Sequence, residues 1–121
     1  MSYLIVLIVN DPQQIPDILE KWENLGIIGI TILDSYGHGK IKHAGLLDNV
    51  PIIPSLENLA KMREIRHKTL FSVVEQEELV DRMIEAAQEI TGNLNDEHTG
   101  FLFVVPVVKA IGLQHHPKLS G

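Results

Sequence analysis

Apolar and polar positions alternate along this chain at two different periods. Tyr3-Leu-Ile-Val-Leu-Ile-Val9 is apolar at every position and rich in β-branched residues, the pattern of a strand with neighbours on both faces. From Ile15 the period lengthens. Ile15, Ile18, Leu19, Trp22 and Leu25 fall at helical spacings, Pro16 and Asp17 suit a first turn, and Gly26 suits the position just past the end. Ile27 to Tyr36 returns to strand-like density, interrupted by Gly29, and predicts a second strand. The pattern then dissolves between residues 37 and 66, with one short helical candidate from Ser55 to Ile65. Loops longer than ~12 to 15 residues inside so small a domain are usually functional or disordered. His67 to Val74 predicts a third strand. A second helix follows, with Glu75, Glu77 and Glu78 near its electropositive start and Leu79, Val80, Met83, Ile84, Ala87 and Ile90 as its buried stripe. Gly92 ends that helix, the polar loop Asn93 to Thr99 follows, and Phe101 to Val108 predicts a fourth strand. Pro106 favours a sheet edge or a bulge there. Lys109 to Gly121 carries no clear element, and 112–121 reads as a tail.

The order is two strand-helix-strand halves separated by the long loop. Right-handed crossovers in both halves restrict the topology to an α+β, ferredoxin-like βαββαβ sandwich: a four-stranded antiparallel sheet with two helices on one face. The other face then lacks cover. Because the first strand is apolar on both sides, that open face predicts self-association.

Composition narrows the function classes. The 121 residues are 45% hydrophobic and 21% charged, which fits one aliphatic-cored domain spanning 1–121. Sixteen acidic against ten basic side chains give a net charge of −6, which argues against nucleic acid as a partner. Without cysteine there are neither disulfides nor thiolate ligands. The longest apolar run, Tyr3 to Val9, is far short of the ~20 residues of a membrane span and lacks the flanks of a signal peptide, so a cytoplasmic protein is expected. No Ser/His/Asp arrangement and no cysteine nucleophile can be placed, and the carboxylates at 75–78 and 95–97 suit a helix start and a solvated loop, so no catalytic residue is expected.

Two candidate constellations remain. In Gly37-His38-Gly39-Lys40 the glycines let backbone N–H groups approach an anion, and Lys40 adds a charge-assisted contact; the same residues also suit a plain turn at a strand exit. The spacing is not that of a Walker loop. The second constellation is histidine. Six occur, at 38, 43, 67, 98, 115 and 116, and Asp96, Glu97 and His98 adjoin in the loop before the last strand, where imidazole and carboxylate suit a divalent metal. No pair has HExxH spacing, and solvated loop histidines account for them equally.

Gly26-Ile-Ile-Gly-Ile-Thr31 followed by Gly37-His-Gly-Lys40 resembles the segment of the PII nitrogen-regulatory signalling family that runs into the base of its long T-loop. Ala86-Ala-Gln-Glu-Ile-Thr-Gly92 resembles the end of that family's second helix, and Gly100 to Ile111 its last strand. The resemblance covers roughly residues 3 to 111. It implies a homotrimer whose inter-subunit clefts bind adenine nucleotides, and a T-loop, here 37–66, that engages a regulated enzyme or membrane transporter. The implied ligand-binding positions are Thr31, Gly37, His38, Gly39, Lys40, Gly92, Gly100 and Lys109. The chain departs from the family where a lysine would meet phosphate, in the loop 93–99, and where Gly112 and Gln114 replace a basic pair; the tyrosine-containing T-loop motif is also missing. Each lost charge-assisted contact removes about 1.5 to 3 kcal/mol, so the expected ligand is a less charged one, AMP or ADP, or an unrelated small anion. The competing expectation is a metal-binding or structural ferredoxin-like oligomer with no nucleotide role.

Overall fold

The computed structural model describes residues 1–36 and 66–113. Within them the chain forms strand β1 (Ser2–Val9), a 3-10 turn (Pro12–Gln14), helix α1 (Ile15–Asn24), strand β2 (Thr31–Tyr36), strand β3 (Arg66–Val74), helix α2 (Glu77–Thr91) and strand β4 (Gly100–Val107). One sheet holds the strands in the order β2-β3-β1-β4, all neighbours antiparallel. This is the expected ferredoxin-like arrangement, with Pro106 on an edge strand. The helical candidate Ser55–Ile65 and the long loop that holds it lie outside the described residues.

Helix boundaries follow local chemistry. The Asp11 carboxylate accepts from the Gln13 N–H and starts the 3-10 turn that delivers the chain into α1. At the other end, Gly26 N–H donates to the Glu23 carbonyl at 2.9 Å and Ile27 N–H to the Trp22 carbonyl at 3.1 Å, with Gly26 at φ 92°. These paired bonds form a Schellman closure, which needs a left-handed residue where glycine stands.

Parity then sorts the sheet. Ile5, Leu7 and Val9 of β1 and Leu70, Ser72 and Val74 of β3 face the helices and are buried. The helices add Ile15, Ile18 and Trp22 from α1 and Leu79, Val80, Met83 and Ala87 from α2. Trp22 is the hub: fully buried, it donates its indole N–H to the Met83 carbonyl at 3.0 Å and so locks α1 against α2. Gln14 Nε2 to the Ile90 carbonyl at 3.3 Å and Lys21 to Glu89 at 2.7 Å repeat the tie at either side.

One boundary differs from the sequence expectation. Strand β2 begins at Thr31, four residues later than the run from Ile27 suggests. Ile27 is drawn out of the sheet into the core beneath α1 by the Schellman closure, and the Ser72 hydroxyl donates to the Gly29 carbonyl at 2.6 Å, occupying it where a strand ladder would have done so.

Candidate functional site

The positions singled out in the sequence fall at three separate places. Thr31 opens β2 on one edge of the sheet, where it is exposed and opposite Phe71 on the face without helices. Gly92 and Gly100 bracket the loop between α2 and β4, at the other edge. Lys109 lies two residues beyond the far end of β4, also exposed. From Gly100 to Val107 the strand covers roughly 23 Å at ~3.3 Å per residue, and the two sheet edges are separated by three spacings of ~4.8 Å, roughly 14 Å. Within one chain, therefore, Thr31, the Gly92–Gly100 loop and Lys109 do not converge. Gly37, His38, Gly39 and Lys40 lie outside the described residues; β2 delivers the chain toward them at Tyr36, at the same end of the sheet where β4 begins.

The loop between α2 and β4 is built from its own polar groups. Gly92, at φ 84°, ends α2 with its N–H on the Gln88 carbonyl, and the Gln88 side chain accepts the Leu94 N–H at 3.0 Å. Asn93 Oδ1 accepts from Asn95 N–H at 2.9 Å, and Thr99 Oγ1 donates to the Asn93 and Asp96 carbonyls at 3.2 and 2.9 Å. His98 holds a left-handed backbone, φ 64°. Gly100 has a different reason to be glycine: at φ 143°, a Cβ there would sit 2.5 Å from the Ile8 carbonyl oxygen. Its missing side chain makes room for β1, whatever else it serves.

Electrostatically this loop is acidic. Asp96 and Glu97 are exposed, His98 comes only to 4.0 Å of Glu97, and residues 93–99 contain neither lysine nor arginine. Among the described residues no three His, Asp or Glu side chains gather as a metal site would require, and His115 and His116 lie outside them. Across the sheet, Lys68 of β3 is held by Asp34 of β2.

Sequence reasoning missed Ser72. It is 2% exposed, and its bond to Gly29 fixes the segment that leads into Thr31. The signal was parity, since Ser72 shares the inward face of Leu70 and Val74 and a buried hydroxyl must find an acceptor.

The face of the sheet away from the helices is open. Leu4, Val6 and Ile8 of β1, Phe71 and Val73 of β3, and Phe101, Phe103 and Val105 of β4 share it, and the Phe101 and Phe103 rings stack at a tilt with centroids 5.8 Å apart. No helix among the described residues is long and apolar enough to cross a membrane.

Known proteins were compared with this arrangement. No curated protein sequence matches the chain. Among solved structures, GlnK of B. subtilis superposes with a TM-score of 0.61 at 15% identity, over 96% of this chain and 93% of that one. Arabidopsis thaliana PII bound to citrate gives 0.58 at 21% identity, over 88% and 74%. The B. subtilis GlnK–ATP complex gives 0.57 at 15%, over 86% and 79%. At these identities the superpositions establish the shared fold. The family model for nitrogen regulatory protein P-II matches residues 3–116, almost the whole chain, and on that match the chain belongs to the nitrogen regulatory protein P-II family.

Proposed function

We propose that this protein is a PII-type signalling protein rather than an enzyme: a homotrimer whose clefts between protomers take a small anionic ligand, and whose loop 37–66 conveys occupancy to a regulated enzyme or transporter. The observation that carries this is geometric. The positions that the resemblance implies for the ligand, Thr31, Gly92, Gly100 and Lys109, occupy separate corners of one protomer, so a site using all of them needs a second copy beside the first. The open apolar face gives such copies a reason to meet. Gly37, His38, Gly39 and Lys40 complete the proposed cleft.

The ligand class follows from charge. Structural neighbours have been solved with citrate and with ATP, both anions. Here the loop 93–99 presents Asp96 and Glu97 and no cation, which repels a triphosphate more than it repels AMP or ADP. Each of those nucleotides retains the adenine and fewer negative oxygens.

Thermal unfolding with AMP, ADP and ATP tests this directly. A ligand at one hundred times its Kd stabilises the native state by about 2.7 kcal/mol, a readily measured rise in Tm. AMP or ADP is expected to raise Tm more than ATP at equal concentration. Micromolar ATP binding tighter than AMP by calorimetry overturns the preference, and no shift with any adenine nucleotide overturns the nucleotide reading.

A further inference from the structure

Between the closure of α1 and the start of β2 the chain crosses a short bridge, Ile28, Gly29 and Ile30. Its near end is anchored: Ile27 is fully buried, and its N–H donates to the Trp22 carbonyl at 3.1 Å. Its far end is Thr31, the first residue of an edge strand, in register with Phe71 of β3. First residues of edge strands fray unless the segment before them is held. Here the hold comes from the interior, where the Ser72 hydroxyl donates to the Gly29 carbonyl at 2.6 Å.

That serine forgoes something. At an inward position between Leu70 and Val74 an aliphatic side chain stabilises the core by burial, and a hydroxymethyl does so less. Nor does the Gly29 carbonyl depend on Ser72 for a partner. Gly29 is exposed, and a Cβ there meets nothing within 4 Å, so a bridge turned outward gives the carbonyl to water. The bond therefore decides direction rather than satisfaction. The peptide is trans, so a carbonyl turned toward Ser72 sends the Ile30 N–H the opposite way, and the orientation of the next residue, Thr31, follows from it. Consecutive residues of β3 thus fix this entry from its two faces, Ser72 at Gly29 and Phe71 level with Thr31.

We propose that Ser72 is a positioning residue of the ligand cleft: through Gly29 its hydroxyl fixes how Thr31 is presented to a bound anion. This rests on the reading of Thr31 as a cleft residue. Without the hydroxyl the bridge samples outward conformations, and apparent affinity falls in proportion to the share of protomers that keep Thr31 in place. The core itself changes little, because Ile27 stays anchored and no buried polar group loses its partner.

Threonine and valine at position 72 have the same shape and differ by the hydroxyl, so any cost of the added methyl is common to both. Calorimetry with AMP and with ADP is expected to show Ser72→Val binding about tenfold more weakly than Ser72→Thr, the equivalent of one hydrogen bond. Amide hydrogen exchange without nucleotide is expected to be faster in Ser72→Val at Ile28 to Thr31 and equal in the two variants at Leu70 and Met83. Sedimentation velocity is expected to show the same assembly for both. If the added methyl prevents folding, Ser72→Ala against wild type makes the same comparison. Equal affinities for Ser72→Thr and Ser72→Val, with wild type binding AMP or ADP, overturn the role of Ser72 and leave the ligand reading standing. Weaker binding with unchanged exchange at Ile28 to Thr31, or with loss of the oligomer, also overturns it, because the effect then runs outside the bridge. A wild type that binds none of AMP, ADP and ATP removes both proposals.

Discussion

Gly100 shows how a residue with a plausible ligand role can be fixed by packing first. At φ 143° its backbone lies in a region that side chains rarely adopt, and the Ile8 carbonyl oxygen occupies the space a methyl would need at 2.5 Å. Strain of about 1 to 3 kcal/mol and overpacking of similar size predict that Gly100→Ala costs roughly 2 to 6 kcal/mol in urea unfolding. Gly92→Ala meets open space and carries only the backbone term, so it is expected to cost less. Equal costs would mean that β1 yields at Ile8 and that Gly100 is not packed as tightly as its geometry states. Ser72 makes the opposite case. Its hydroxyl is a buried donor with one acceptor, Gly29, and nothing in a single-residue reading of Leu-Phe-Ser-Val-Val distinguishes it from a tolerated polar substitution.

At the scale of elements, the helices and three of the strands were legible because their signals are local: a 3.6-residue stripe in α1 and α2, an unbroken apolar run in β1, and dense β-branched and aromatic residues in Thr69–Val74 of β3 and Phe101–Val107 of β4. The start of β2 was not. Ile27-Ile-Gly-Ile has strand density, yet the closure of α1 takes Ile27 into the core, a tertiary demand that no window of sequence carries. The pairing of α1 with α2 is likewise a long-range event, and one of its ties responds to pH. The hydrogen bond and the charge of Glu89 raise the Lys21 ammonium above its ordinary value of 10.5. A raised folded-state value stabilises the protein fully below the unfolded value and loses that contribution as pH climbs through the folded one. Wild type should therefore exceed Lys21→Met in Tm from neutral pH up to about pH 10, and the gap should close above pH 10.5. A gap independent of pH across this window would assign the difference to packing of the lysine stem rather than to its charge.

The molecule as a whole is decided by what one chain leaves uncovered. The sequence disclosed a two-sided β1 and so an open face, and its resemblance to the family supplied candidate ligand positions one by one. It could not disclose that those positions sit at separate corners of one protomer, because distances across a sheet leave no spacing along the chain to read. The open face gives the proposed assembly an apolar surface to bury. Phe103 stands in its middle, level with Val6 on β1 and, through Val6, with Phe71 on β3. A carboxylate placed there is solvated in a lone protomer, where the position is already exposed, but loses its water when a second face closes over it, at a cost of several kcal/mol per buried ion. Phe103→Asp should thus leave the protomer folded by circular dichroism and reduce its sedimentation coefficient to that of a monomer at micromolar concentration. It should also abolish nucleotide-induced stabilisation, because the proposed cleft disappears with the neighbour that would complete it. A Phe103→Asp protein that stays assembled would show that the sheets do not meet face to face, and one that dissociates yet binds nucleotide as wild type does would show that a single protomer holds the whole site.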